Sequence, residues 1–130
     1  MERPILVIED DPEVTALLRE ILDRNGFNVV VAHDGKEGCE VAQNTRPAAI
    51  LCDVLLPVMT GFDAAKNLKE NPQTGDIPVV LMTGHGYLKS PVAGASEWLL
   101  KPFTIRELTE TISKVVRNVQ CQCGALPAAA

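Results

Sequence analysis

Five short apolar runs, each breaking off at a polar or turn residue, constrain this chain more than any other feature. They are Ile5–Ile8, Phe27–Val31, Ala48–Cys52, Ile77–Met82 and Trp98–Leu100. Runs of this length and composition read as strands buried on both faces, the pattern of a parallel sheet. The intervals carry helical periodicity. After Asp11-Pro12, an N-cap followed by a first-turn proline, Val14, Leu17, Leu18, Ile21 and Leu22 recur at helical spacing until Asn25-Gly26. Asp34-Gly35 opens a second helix carrying Cys39, Val41 and Ala42. A third holds Ala64, Ala65 and Leu68 and ends at Asn71-Pro72, because the residue before a proline avoids helical geometry. The last begins at Thr104 with Glu107 three residues on, a capping box, and its apolar side is Ile105, Leu108, Ile112, Val115, Val116 and Val119.

Strand and helix therefore alternate along one α/β domain. Right-handed crossovers then predict a doubly wound, five-stranded parallel sheet of flavodoxin-like order 2-1-3-4-5. The domain is expected to span 1–119, with 120–130 a disordered tail that lacks periodicity. A length of 130 residues, 46% of them apolar and 22% charged, suits one globular unit with a genuine core. The net charge of −5 argues against direct binding of nucleic acid, which needs clustered Lys and Arg. No apolar run approaches the roughly 18 residues of a membrane span, and Met1-Glu-Arg-Pro4 does not open a signal peptide, so a cytoplasmic location is expected. The four cysteines do not suggest a disulfide framework: Cys52 falls in a buried strand, Cys39 in a helix, and Cys121 and Cys123 have no second pair with which to hold zinc.

In a sheet of this order the ends of strands one and three lie side by side at the switch point, where open α/β sheets bind ligands. That places Glu9 and Asp10 beside Asp53, the residue that ends Ile50-Leu-Cys-Asp53 and precedes the turn through Pro57 and Gly61. Three carboxylates in one crevice repel each other unless a cation joins them, and a hard, oxygen-seeking cation such as Mg²⁺ suits the set. The same cation would prepare Asp53 as a nucleophile towards phosphorus. Thr83 and Lys101, ending strands four and five, would offer a hydroxyl and an ammonium to phosphoryl oxygens. Each residue alone has a plainer explanation as a cap or a solvated charge. Five such residues at consecutive strand ends are hard to treat as coincidence.

Ile5-Leu-Val-Ile-Glu9-Asp10-Asp11, Asp53-Val-Leu-Leu-Pro57 with Gly61, Thr83-Gly84 and Lys101-Pro102-Phe103 together resemble the receiver domain of two-component response regulators, over roughly residues 4–119. The resemblance is chemotaxis-regulator-like. It implies that Asp53 accepts a phosphoryl group from a phosphohistidine on a sensor histidine kinase or histidine phosphotransfer protein. It implies too that Asp10, Asp53 and the backbone carbonyl of Leu55 bind Mg²⁺ with Glu9 helping through water, that Thr83 and Lys101 hold the acyl phosphate, and that the peptide before Pro102 is cis. Trp98 stands where the family usually has the Tyr or Phe that reports phosphorylation together with the threonine hydroxyl. Leu55 and His85 occupy the positions that tune loss of the phosphoryl group, and an apolar Leu55 implies slow dephosphorylation. Such a protein is a signalling phosphoacceptor rather than an enzyme with an external substrate, and it switches a surface for a downstream protein.

Two departures stand out. The segment from Thr83 to Lys101 is shorter than usual by about one helical turn, and no output domain is expected in the stretch after residue 119. Gly84, Gly86, Pro91 and Gly94 disfavour a helix there, so the fourth helix of the family is expected to be shortened or missing, with Trp98 less covered. Dimerisation on the usual face should then fail, leaving a monomer or a homodimer built elsewhere. The alternative readings are a receiver piece of a hybrid kinase or larger regulator, and a degenerate receiver that only binds. A haloacid-dehalogenase-type enzyme is disfavoured because Leu55 replaces its second aspartate, and a flavodoxin-like carrier because Glu9-Asp10-Asp11 would repel a flavin phosphate.

Overall fold

The computed structural model describes residues 3–56, 58–84 and 96–128, with side chains to residue 117. In chain order the elements are β1 (Ile5–Ile8), α1 (Pro12–Arg24), β2 (Val29–Ala32), α2 (Gly35–Thr45), β3 (Ala49–Asp53), α3 (Gly61–Glu70), β4 (Val79–Thr83), β5 (Glu97–Leu100) and α4 (Ile105–Ala128). The five strands form one parallel sheet in the order β2-β1-β3-β4-β5, as the alternation predicts. The expected shortened or missing helix falls on residues 85–95, outside the described residues, as does His85.

Alternation along the strands divides the core into two layers. Leu6, Ile8, Ile50, Cys52, Val79 and Leu81 face α2 and α3, whose Ala42, Ala64, Ala65 and Leu68 are buried against them. Ile5, Val7, Leu51, Val80 and Met82 face α1 and α4 through Leu18, Leu22, Leu108, Ile112 and Val115. Small residues let the first layer close: a side chain on Gly38 would run into Ile8, so α2 lies directly on β1.

The helix ends are set by local chemistry. Asp11, Asp34 and Thr60 cap α1, α2 and α3 by accepting from the N–H of Glu13, Glu37 and Asp63. At the start of α4, Thr104 accepts from Glu107 N–H at 3.0 Å while Glu107 accepts from Thr104 N–H at 2.8 Å, the reciprocal box the sequence predicts. The end of α1 explains why β2 starts at Val29 rather than Phe27. Gly26, at φ 88°, donates to Asp23 O and Phe27 to Leu22 O, so Phe27 completes the helix stop and packs in the same layer as Leu22.

One boundary differs more widely. The apolar periodicity ends at Val119 and predicts a structureless tail, but the backbone stays helical through Ala128. Gln120, Gln122, Ala125 and Leu126 favour that extension, whereas Gly124 and Pro127 oppose it. Among the described residues no helix is long and apolar enough to cross a membrane.

Candidate functional site

Register places the carboxylates. Ile8 pairs with Cys52, so Glu9 and Asp53 leave β1 and β3 at the same level. Glu9 stays in line because its N–H donates to Ala32 O at 3.0 Å. Both are buried, with residue exposures of 2% for Glu9 and 7% for Asp53, while Asp10 is exposed. One oxygen from each of Glu9, Asp10 and Asp53 lies within 4.8 Å of the others.

Lys101 enters from the opposite side. Its N–H donates to Thr83 O at 2.8 Å, holding the residue beside the end of β4, and the Lys101–Pro102 peptide is cis, as the resemblance implies. Its Nζ donates to Asp53 Oδ2 at 3.2 Å and stands 3.6 Å from Glu9 Oε1. The other Asp53 oxygen, Oδ1, accepts from Leu55 N–H at 3.3 Å. Glu9 Oε2 accepts from Asp11 N–H, also at 3.3 Å. Among the described residues Glu9 Oε1 is the buried side-chain oxygen without a hydrogen-bond partner.

The electrostatics follow from three carboxylates facing one ammonium. Burial, reinforced by Asp53, raises the Glu9 carboxyl from 4.5 to about 7, against the opposing pull of Asp11 N–H and Lys101. The donor set fits a hard divalent cation: clustered carboxylate oxygens, an excess of negative charge and a buried oxygen without a hydrogen-bond partner.

The structure thus brings together Glu9, Asp10, Asp53 and Lys101. Thr83 ends β4 on the same rim and is buried. Leu55 turns its side chain to solvent, 70% exposed, while its N–H reads the Asp53 carboxylate. Trp98 lies three residues before Lys101, on β5, half-buried in the α2–α3 layer. Cys52 donates its thiol to Asp53 O at 3.4 Å and is buried, which pushes its pKa far up, so it acts as a small apolar residue.

Three features are not evident from sequence. Lys101 pairs with Glu9 as well as Asp53, a meeting across β1, β3 and β5 that no local pattern encodes. Gly61 is needed for close approach: its N–H donates to Val54 O at 2.9 Å, and a Cβ there would strike Asp53 O and lie 2.8 Å from Val54 Cα. Phe62, next in the chain, meets Trp98; its position after Gly61 was the available signal.

Comparison with known proteins agrees with this geometry. The family model described as the response regulator receiver domain matches residues 5–113. Transcriptional regulatory protein CpxR of Klebsiella pneumoniae is 39% identical over 118 residues, covering 88% of this chain but 49% of the relative. The chain accordingly spans about half the length of the curated relatives it matches. The structure of chemotaxis response regulator CheY4 of Vibrio cholerae superposes with a TM-score of 0.80 at 30% identity, covering 88% of this chain and 99% of that one. The receiver domain of a sensor histidine kinase from Pseudomonas aeruginosa, with a magnesium ion coordinated in its active-site cleft, gives a TM-score of 0.80 at 26% identity, covering 89% and 98%. With the fold, the acidic crevice and the family match in agreement, the chain belongs to the response-regulator receiver family.

Proposed function

We propose that this chain, with its receiver unit at 1–119, takes a phosphoryl group onto Asp53 from a phosphohistidine on a sensor histidine kinase or histidine phosphotransfer protein in the cytoplasm. The observation that carries this reading is the convergence of Asp53, Glu9 and Asp10 with the Lys101 ammonium, which is 3.2 Å from Asp53 Oδ2. An Asp53 oxygen attacks phosphorus in line, the P–N bond breaks, and its electron pair remains with the imidazole, which takes up a proton from solvent. Glu9, Asp10, Asp53 and the Leu55 carbonyl would hold Mg²⁺, as the relative from Pseudomonas aeruginosa holds magnesium in its cleft. Bound there, the cation offsets the repulsion between carboxylate and phosphoryl group. Lys101 leaves the carboxylate for a phosphoryl oxygen, and Thr83 donates its hydroxyl to another. Trp98 responds to the change, Leu55 and His85 govern how slowly the group is lost, and the altered surface engages a downstream protein.

A groove beside the crevice supports the choice of donor. Val14, Leu17 and Ile21 of α1 face Phe103 and Ile105 across a space of about 560 Å³, with Lys101 at its end. Leu17 and Ile105 are largely exposed, so an amphipathic helix bearing a phosphohistidine can seat its apolar face there. Because the chain covers only part of its relatives, a stand-alone monomer, a homodimer formed away from the usual face and a piece of a hybrid kinase or larger regulator fit the same chemistry. A degenerate receiver that only binds does not, given intact Asp53, Thr83 and Lys101.

The test is intact-mass measurement after incubation with Mg²⁺ and acetyl phosphate. Wild type should gain one phosphoryl group and Asp53→Asn none. An adduct that survives Asp53→Asn, or that forms equally in excess chelator, would refute the proposal.

A further inference from the structure

Trp98 is the chain's only tryptophan. It pairs in register with Leu81, which puts it on the sheet face covered by α2 and α3. There its indole meets the Phe62 ring, with centroids 6.2 Å apart and planes inclined at 55°. That is an attractive tilted arrangement. Phe62 is the second residue of α3, and the residue before it is pressed onto the strand end that carries Asp53. Gly61 N–H donates to Val54 O at 2.9 Å, and the backbones are so close that a Cβ on Gly61 would lie 2.8 Å from Val54 Cα. The same stretch senses the carboxylate, since Leu55 N–H donates to Asp53 Oδ1 at 3.3 Å.

From this geometry we propose that Phe62 is a positioning residue for Trp98, carrying rearrangement at Asp53 to the indole through α3 without passing through Thr83. The inference rests on the phosphoacceptor reading above. When the oxygens of Asp53 exchange partners on phosphorylation, the Leu55 N–H must follow, and Val54 with it. The first turn of α3 has no slack against Val54, so it shifts as a unit and moves Phe62 against Trp98. Thr83 lies on β4, a separate element, so the two routes can be cut independently. A link of this kind is established by coupling measurements rather than by proximity.

The experiment uses the full chain with Mg²⁺ and acetyl phosphate. Trp98 emission and its quenching by acrylamide are read on the same samples whose adduct is counted by intact mass. Phe62→Leu should form the adduct as wild type does, while the emission change per adduct falls by roughly two- to tenfold, as loss of an aromatic pair implies. Phe62→Tyr, which keeps the ring, should restore it. Thr83→Ala should keep a residual response that Phe62→Leu removes on the same background. Thermal melts establish that each variant is folded, and Phe62→Met replaces Phe62→Leu if the latter is not. An equal emission change per adduct in wild type and Phe62→Leu overturns the proposal, and so does adduct formation in wild type with no change at Trp98. Absence of any wild-type adduct overturns the phosphoacceptor reading and this assignment with it.

Discussion

Glu9→Gln should remove a pH dependence of stability that the metal-free protein carries in its crevice. Glu9 is 2% exposed, and burial beside Asp53 raises its carboxyl from 4.5 to about 7. Between those values the folded state keeps a proton that the unfolded chain gives up, so stability falls as pH rises through the window. The contribution is complete below pH 4.5 and gone above about 7. At about 1.4 kcal/mol per pH unit, the gap between 4.5 and 7 makes the loss at most about 3–4 kcal/mol. Glutamine is neutral at every pH and nearly isosteric, and its side-chain oxygen can still accept from Asp11 N–H. Urea unfolding at acid, neutral and mildly alkaline pH, in chelator, gives the comparison. The variant should match wild type in acid and exceed it by about 1–3 kcal/mol at pH 8. Added Mg²⁺ should then narrow the difference, because a ligand that binds only the folded state stabilises it by mass action. Equal pH slopes for the two proteins in chelator, or a variant less stable than wild type at pH 8, would refute the reasoning.

Val58 sits at φ 73° and is 78% exposed, a left-handed conformation that costs a β-branched residue about 1–2 kcal/mol. Val58→Gly should raise stability by about 0.5–1 kcal/mol after the entropy glycine adds to the unfolded chain, and a lowered urea midpoint would contradict this. Gly61→Ala should destabilise by on the order of 2 kcal/mol or more, since its methyl meets backbone that cannot give way; an unchanged melting temperature would show that the β3–α3 junction has slack. Leu55→Asn should speed loss of the phosphoryl group roughly tenfold, about the worth of one hydrogen bond to the attacking water, and unchanged decay of the adduct by intact mass would remove Leu55 as the cause of slow turnover.

Sequence alone determined the elements and their order, because the signals are local. Asp11, Asp34 and Thr104 announce helix starts through side chains that satisfy N–H groups two or three residues away. The apolar runs announce strands, and a parallel sheet built from them has few permitted orders. That was enough to bring Glu9, Asp10 and Asp53 to one crevice and to place Thr83 and Lys101 on its rim. Tertiary structure decided what lies between elements. It set Lys101 between two carboxylates, buried Glu9 deeply enough to hold a proton near neutrality, and pressed Gly61 onto Val54. It also set Phe62 against Trp98, residues separated in sequence and joined by a ring contact between α3 and β5. The length of α4 divides along the same line. Apolar periodicity reports only where a helix is packed, so it stops at Val119, whereas the backbone stays helical to Ala128. Local patterns encode dihedral preferences and burial, while distances between side chains on different strands depend on register, twist and close approach, which no short window of sequence contains.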